Sequence, residues 1–477
     1  MLRLPLCFAV LLPGAVAILR HVRELHQAQD ATPYKLVLSN FHDMSYSGIV
    51  VIGGQTVSGI FDTGSSDFVA FSSQCMGCGG GGYTSSLSSS YKDGHKASEL
   101  SYGSGTCMSS EGFDEVAIGP LVAHGQLIYE AYRCVMPSLR SSNFQAIIGI
   151  GPPDRAIIDA QYQVDQWTAL VESNSTSAMV DIAARQLESE KASLEIARTK
   201  ANLFSNAHMT RFSVCLGRAA GSDGFLILND VARQDLPGGM RARVVDNLSW
   251  MLKVSHVGFG DGSAGSSAEL GCRSGCGALL DSGTSLIAVD SGLYEAMFEY
   301  ISSLNIDCSD LGRFPDLVLD FDGNVIRLPP EAYIGEVEAS VANFAEDAQA
   351  SMMHTDRASP FLHAGRVHEN GQPVMCRLLI LDLGMQSTSS GPMMILGMPL
   401  FREFYTTFEF GSGPDDRSIT LTPTGADCEP GSAADLDLGV AHGLMHYGLR
   451  QEESEQRRPR LVKPSEIQLP RHFQVSA

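Results

Sequence analysis

Two short stretches of the chain carry carboxylates in a setting suited to chemistry. In FDTGSSDF, Phe61–Phe68, an apolar run delivers Asp62 directly into Thr63, Gly64, Ser65 and Ser66. In LDSGTSLI, Leu280–Ile287, the same arrangement returns around Asp281 with Ser282, Gly283 and Thr284. Each stretch is followed much later by an apolar-apolar-glycine triplet, Ile147-Ile148-Gly149 and Ile395-Leu396-Gly397. A lone Asp-Thr-Gly is common and is usually a turn or capping carboxylate. Two copies with matching lead-ins, hydroxyls and triplets point to an internal repeat in which each half presents one aspartate. Two carboxylates brought together cannot both ionise easily, so the pair shares a proton over a wide acidic range. Such a pair can bind a water, take its proton with one member and polarise a carbonyl with the other. That is general acid–base hydrolysis of an amide, with neither metal nor covalent intermediate.

The neighbouring residue types fit this chemistry. Thr63 and Ser282 can exchange hydrogen bonds between the halves, and Ser65 and Thr284 can orient the carboxylates. Gly64 and Gly283 let the backbones approach without a side chain between them. The two triplets can thread past the aspartate loops and buttress them with apolar packing.

The elements that must hold these residues read as mainly β. Short apolar alternations broken by Gly and Asn run from Tyr34 to Ile60, and alternation returns at DEVAIG, FQAIIGIG, RFSVCLGR and GFLILNDV. Between about Met179 and Phe204, apolar residues recur at three- and four-residue steps, as Val180, Ala183, Leu187, Leu194, Ala197 and Ala201 do. That spacing predicts an amphipathic helix, or two, packed locally. The glycine run 79–82 lacks the Lys-Ser/Thr ending of a phosphate loop and reads as loop. Asn174 and Asn247 stand in glycosylation sequons.

Composition narrows the classes further. The chain has 477 residues, 44% of them hydrophobic, enough for more than one core. A formal net charge of −21 argues against nucleic acid or an anionic membrane as partner. The opening MLRLPLCFAVLLPGAVA reads as a secretory signal peptide ending near Ala17, and no later apolar run is long enough for a span in the mature chain. Of the 11 cysteines, Cys7 lies in that signal, and the remaining ten are compatible with disulfides in an oxidising compartment.

Taken together, these motifs resemble the pepsin-type (A1) aspartic endopeptidases, over roughly Tyr34 to Pro423. SNFHDMSYSGIVVIGG is similar to the family's first strands. ELSYGSG is similar to its flap, the hairpin that closes over substrate, with Tyr102, Gly103 and Ser104 at the tip. FSVCLGR, FPDLVLDFDGNVIRLPPEAYI and ILGMPLFREFYTTFEF resemble its later strands. The resemblance implies a bilobal pepsin-like fold with two β-barrel-like lobes around a substrate cleft and a helical insertion in the first lobe. It implies Asp62 and Asp281 as the catalytic pair of a monomeric endopeptidase that takes an extended peptide or protein substrate, needs no cofactor or metal, and prefers bulky apolar side chains. A catalytically inactive pepsin-fold binding or inhibitor protein is the competing reading.

The resemblance also implies disulfides Cys272–Cys276, Cys308–Cys376 and Cys75–Cys78, the last a trimmed version of the family's first. It assigns no partners to Cys107, Cys134, Cys215 and Cys428. A zinc site at the CxxC of 75 and CxxxC of 272 is the weaker reading, because the pairs lie far apart in sequence. The expected divisions are a signal peptide at 1–17, a short pro-like segment at 18–33, an N-terminal lobe at 34–220, a C-terminal lobe at 221–427 and a disordered tail at 428–477. The expected location is the secretory pathway, either outside the cell or in a lysosome- or vacuole-like compartment. Four features depart from the family pattern: Val69 where a tryptophan is usual, a short pro-like segment, the helices near 179–204, and a long segment between Tyr333 and Cys376.

Overall fold

The computed structural model describes residues 33–338, 374–425, 428, 459–462 and 467–468, apart from 104, 137, 140–141, 174–176, 200–202, 208, 261–267, 307 and 309. The signal and nearly all of the pro-like segment, Ser104, Asn174, most of the Tyr333–Cys376 segment and most of the tail lie outside the described residues.

Strands form where short apolar runs alternate with turn residues. β1 (Tyr34–Phe41), β2 (Ser45–Ile52) and β3 (Gln55–Asp62) make an antiparallel meander. The two-residue turn between β2 and β3 is Gly53-Gly54, with φ of +54° and +78°, the positive pair that matches strand twist and that glycine adopts freely. β4 (Phe68–Met76), β5 (Lys92–Tyr102), β6 (Gly105–Ile118), β7 (Leu121–Val135) and β8 (Ala146–Gly149) complete the first lobe's strands.

Two long helices then intervene, Arg155–Glu172 and Ser177–Thr199, with a single turn, Leu203–Asn206, after them. They pack on each other around Val164, Leu187 and Leu194, with Ile157, Trp167 and Val171 at the edges of the contact. The second corresponds to the helical periodicity near 179–204. The first was not read from sequence, because Asp and Gln interleave its apolar positions in RAIIDAQYQVDQW.

The chain continues with β9 (Arg211–Leu216), β10 (Gly224–Leu228) and β11 (Met240–Arg243). The second lobe is built from β12 (Met251–Val254), β13 (His256–Gly260), β14 (Ala268–Gly271), β15 (Cys276–Leu280) and β16 (Ile287–Val289). Helix Ser291–Ser303 follows, capped by Asp290, whose side chain accepts from the Gly292 amide. Next come β17 (Asp316–Phe321), β18 (Asn324–Leu328), β19 (Ile334–Glu338), β20 (Val374–Leu378), β21 (Ile380–Asp382), β22 (Ser387–Thr388) and β23 (Gly391–Leu396). Helix Met398–Glu403, β24 (Phe404–Glu409), β25 (Ser418–Pro423) and β26 (Arg460–Val462) are the last elements of the described chain.

One long sheet joins the halves, in the order β11-β25-β24-β9-β10-β1-β2-β3-β8-β4-β7-β6-β5. β1 is the junction: its first half pairs with β10 and its end with β2. Residues 220 and 221, where the sequence reading divides the lobes, fall in the β9–β10 hairpin inside this shared layer. Behind it, Phe212 stacks on Phe408 with centroids 4.8 Å apart, and the fully buried Trp250 packs against Phe408 and Phe410.

The structure pairs Cys75–Cys78, Cys272–Cys276 and Cys308–Cys376, and it also pairs Cys107–Cys134 and Cys215–Cys428. The tail reading needs correction at its far end. β26 pairs in parallel with β19, and Val462 and Ile467 are buried. Three residues of strand among charges and prolines give too short a pattern for composition to reveal.

Candidate active site

Each aspartate sits at the end of a buried strand that is gripped by a parallel neighbour. β3 runs parallel to β8, placing Asp62 beside Gly149, and β8 continues antiparallel to β4. The second lobe repeats the arrangement: β15 runs parallel to β23, with Leu280 beside Leu396, and β23 pairs antiparallel with β16. The two apolar-apolar-glycine triplets therefore thread between the strands that flank each aspartate loop. The Ile150 amide donates to the Asp62 carbonyl at 2.8 Å, and the Asp281 amide donates to the Leu396 carbonyl at 3.0 Å. Gly397 cannot carry a side chain here, since a Cβ would lie 2.1 Å from the Leu286 carbonyl oxygen.

The side chains of the two loops form a near-symmetric network. Asp62 Oδ1 accepts from the Gly64 amide at 2.9 Å, and its Oδ2 accepts from Ser65 Oγ at 2.5 Å. Asp281 Oδ1 accepts from the Gly283 amide at 2.8 Å, and its Oδ2 accepts from Thr284 Oγ1 at 2.6 Å. Across the lobes, Thr63 Oγ1 donates to the Leu280 carbonyl at 2.8 Å and accepts from the Ser282 amide at 2.8 Å. Ser282 Oγ mirrors this by donating to the Phe61 carbonyl at 2.6 Å and accepting from the Thr63 amide at 3.1 Å. Each loop thus closes its partner's backbone bonds. A Cβ on Gly64 would stand 2.6 Å from Asp281 Cγ, and one on Gly283 would stand 2.4 Å from Asp62 Oδ1.

Both carboxylates are nearly withdrawn from solvent, Asp62 at 6% and Asp281 at 1% exposure. Burial, and then the charge and hydrogen bond of Asp62, push the Asp281 carboxyl well above the usual carboxylate range. The bonds from Thr284 and Gly283 act in the opposite direction and are outweighed.

The sequence profile described as Eukaryotic aspartyl protease matches residues 45–352, a span that includes both aspartate loops. The chain belongs to this pepsin-like family of aspartyl proteases. Among its relatives are pepsin A of Gallus gallus, 22% identical over 65% of this chain and 76% of the relative, and cathepsin E of Cavia porcellus, 23% identical over 79% and 81%. Vacuolar protease A of Neurospora crassa is 23% identical over 82% of this chain and 83% of the relative.

Other expected site residues of this aspartyl-protease chain fall as follows. Tyr102 ends β5, and Gly103 follows it in the turn of the β5–β6 hairpin; Tyr102 is in register with Gly105. Tyr102 is only 5% exposed and belongs to one apolar cluster with Ile60, Val69, Phe71, Leu100 and Ile147. Val69 is fully buried in that cluster, so apolar packing is what the structure provides where the family usually has a tryptophan. The Cys107–Cys134 bridge joins β6 to β7 at directly paired positions beneath the hairpin. Among the described residues, the sulfurs of Cys75, Cys78 and Cys134 lie within 4.8 Å of one another, but each is already committed to a disulfide. Sequence reasoning missed three supports of the aspartate loops: the Trp250 indole, which donates to the Ile150 carbonyl, the Ser285 hydroxyl, and the Met44 carbonyl that accepts from it. Ser285 lay in the quoted DSGTSLI and Met44 in the quoted SNFHDMSYSGIVVIGG, but neither was given a role there.

Proposed function

We propose that the chain is an aspartic endopeptidase that hydrolyses peptide bonds through a water activated by Asp62 and Asp281. The observation that carries this reading is the pair of buried carboxyls, Asp62 and Asp281, oriented by a network that neither lobe builds alone, with burial and Asp62 pushing the Asp281 carboxyl above the usual carboxylate range. In the proposed reaction, Asp62 takes a proton from the water as its oxygen adds to the substrate carbonyl carbon. Asp281 gives its proton to the carbonyl oxygen, and a tetrahedral diol forms. Collapse returns a proton to Asp281, and the proton held on Asp62 passes to the leaving nitrogen as the C–N bond breaks. The hydroxyls of Ser65 and Thr284 keep both carboxylates in the orientation this exchange needs.

Substrate binds as an extended peptide under the β5–β6 hairpin, with bulky apolar side chains flanking the scissile bond, and the enzyme works at acidic pH as a monomer. Five disulfides and the signal-like opening support a secretory route, ending outside the cell or in a lysosome- or vacuole-like compartment. Among the described residues no helix is long and apolar enough to cross a membrane. The competing reading, an inactive pepsin-fold binding or inhibitor protein, draws on Val69. Against it stand both aspartates, their glycines and all four supporting hydroxyls.

The test is incubation of the folded protein with a denatured protein substrate across acidic pH, with and without a transition-state-like aspartic-protease inhibitor. Inhibitor-sensitive cleavage is expected. Its absence at every pH would leave the binding-protein reading.

A further inference from the structure

Beyond Cys428, the described residues return to the back of the aspartate site. β26 adds to the open edge of β19, with Arg460 opposite Gly335, Leu461 opposite Glu336 and Val462 opposite Val337. Val462 and Ile467 are buried with Met44, Leu279, Leu286 and Ile395, the residues packed behind the second aspartate loop. Arg460 Nη1 lies 2.9 Å from Asp43 Oδ2, and its Nη2 donates to the Arg218 carbonyl. Asp43 is in the β1–β2 turn, and Arg402 Nη2 donates to its carbonyl oxygen at 2.5 Å. The C-terminal residues therefore touch the first lobe through Asp43 and the second through β19.

The contact at Gln468 bears more directly on the site. The Ser285 amide donates to the Gln468 carbonyl at 3.1 Å, and the Gln468 amide donates back to Ser285 Oγ at 2.7 Å. Ser285 Oγ in turn donates to the Met44 carbonyl at 2.6 Å. Ser285 is fully buried and follows Thr284, whose hydroxyl holds Asp281 Oδ2. A buried amide and hydroxyl at this position need partners, and Gln468 supplies one to each. The line Met44–Ser285–Gln468 runs from the first lobe's β1–β2 turn, past the Asp281 loop, to the C-terminal residues.

We infer that Arg460–Val462, Ile467 and Gln468 form an intramolecular strap that fixes the Asp281 loop against the first lobe, with Gln468 a positioning residue for the hydrolysis proposed above. The inference rests on that reading for its kinetic consequence, but its structural consequence can be read separately. The strap acts through Thr284 and Ser285 and touches neither substrate nor the carboxylates. Undocking it loosens the aspartate geometry without altering the walls of the cleft.

The test uses the full chain with Gln468→Pro, which deletes the donating amide, Ile467→Asp, which places a charge in the apolar seat, and Ile467→Val as the conservative control. Expected results for the first two are a kcat about 10- to 100-fold lower, the range for small misplacements of reacting groups, and a KM within about twofold of the parent. The control is expected to match the parent. Backbone hydrogen exchange at Ser285 is expected to accelerate in the same two variants. Combining Ser285→Ala with Gln468→Pro should cost less than the two separate losses together, since both break one contact. Folded variants with unchanged kcat and unchanged exchange at Ser285 would overturn the strap. A parent with no inhibitor-sensitive cleavage would instead sink the proposed hydrolysis, and the exchange at Ser285 would still decide the strap. If Ile467→Asp does not fold, Gln468→Pro carries both measurements.

Discussion

Trp250 donates its indole Nε1 to the Ile150 carbonyl at 3.0 Å, while its own carbonyl accepts from the Leu280 amide at 3.0 Å. Ile150 donates to the carbonyl of Asp62, and Leu280 immediately precedes Asp281. One fully buried residue is thus one residue removed from both aspartates, through its side chain on one side and its backbone carbonyl on the other. Trp250→Phe keeps most of the ring packing but leaves the Ile150 carbonyl without this donor. The expected loss is about 1–3 kcal/mol of stability, the usual cost of orphaning a buried polar group, read as a lower denaturant midpoint together with reduced turnover.

Gly64→Ala and Gly283→Ala should fail for the same steric reason from opposite sides. Each new methyl would press on the other lobe's carboxylate, which cannot retreat without giving up its amide and hydroxyl donors. Calorimetry with a transition-state-like inhibitor is expected to show binding weakened by about 100-fold or more in both variants, in line with ångström-scale displacement of reacting groups. Normal inhibitor binding by either would mean that the loops do not meet as described.

Much of this site was legible because its chemistry is written in contiguous residues. Asp62, Thr63, Gly64 and Ser65 lie in one run, Asp281 to Thr284 in another, and the duplication gave them weight. The supports were not legible: Met44 and Gln468 work through backbone groups that any residue possesses, and the indole of Trp250 reaches a backbone carbonyl 100 residues away in sequence. The shared sheet was hidden for a related reason. β1 alternates like any half-buried strand, and nothing in YKLVLSNF says that its partner is β10. Cysteine pairing followed the same rule. The short Cys272–Cys276 bridge sits inside a motif, whereas Cys215–Cys428 spans 213 residues and becomes visible only once β9 is placed.

The pH dependence of turnover follows from Asp281. In the proposed hydrolysis its carboxyl acts in the protonated form, and burial and then Asp62 raise its pKa. Activity should fall as pH rises through that raised value, so the alkaline limb of kcat should lie above the ordinary aspartate range of about 4. Asp281→Asn and Asp62→Asn are each expected to cut turnover by about 1,000-fold or more, while circular dichroism shows an intact fold. Retained activity in either would overturn the role given to the pair.

Asp43 should behave in the opposite sense. Burial pushes its carboxyl up, but Arg460 and Arg402, with bonds from Asn40 and the Gly221 amide, hold it below its ordinary value. A depressed pKa contributes stability that is complete above about pH 4, the unfolded value, and is lost as pH falls through the folded one. Asp43→Asn is expected to cost about 3 kcal/mol at pH 6, because it leaves Arg460 buried without its carboxylate. The gap between parent and variant should narrow only below pH 4 in urea unfolding curves.

The shared sheet also sets an order of assembly during synthesis. β1 is the first described strand to leave the ribosome, yet its first half has no partner until β10, ending at Leu228, has been made. β9 waits longer still for β24, which ends at Glu409, and β11 for β25, which ends at Pro423. The first lobe therefore spends much of translation with an unfilled sheet edge, the kind of surface that recruits neighbouring chains. For this protein, the vulnerable period is the interval before its last strands arrive.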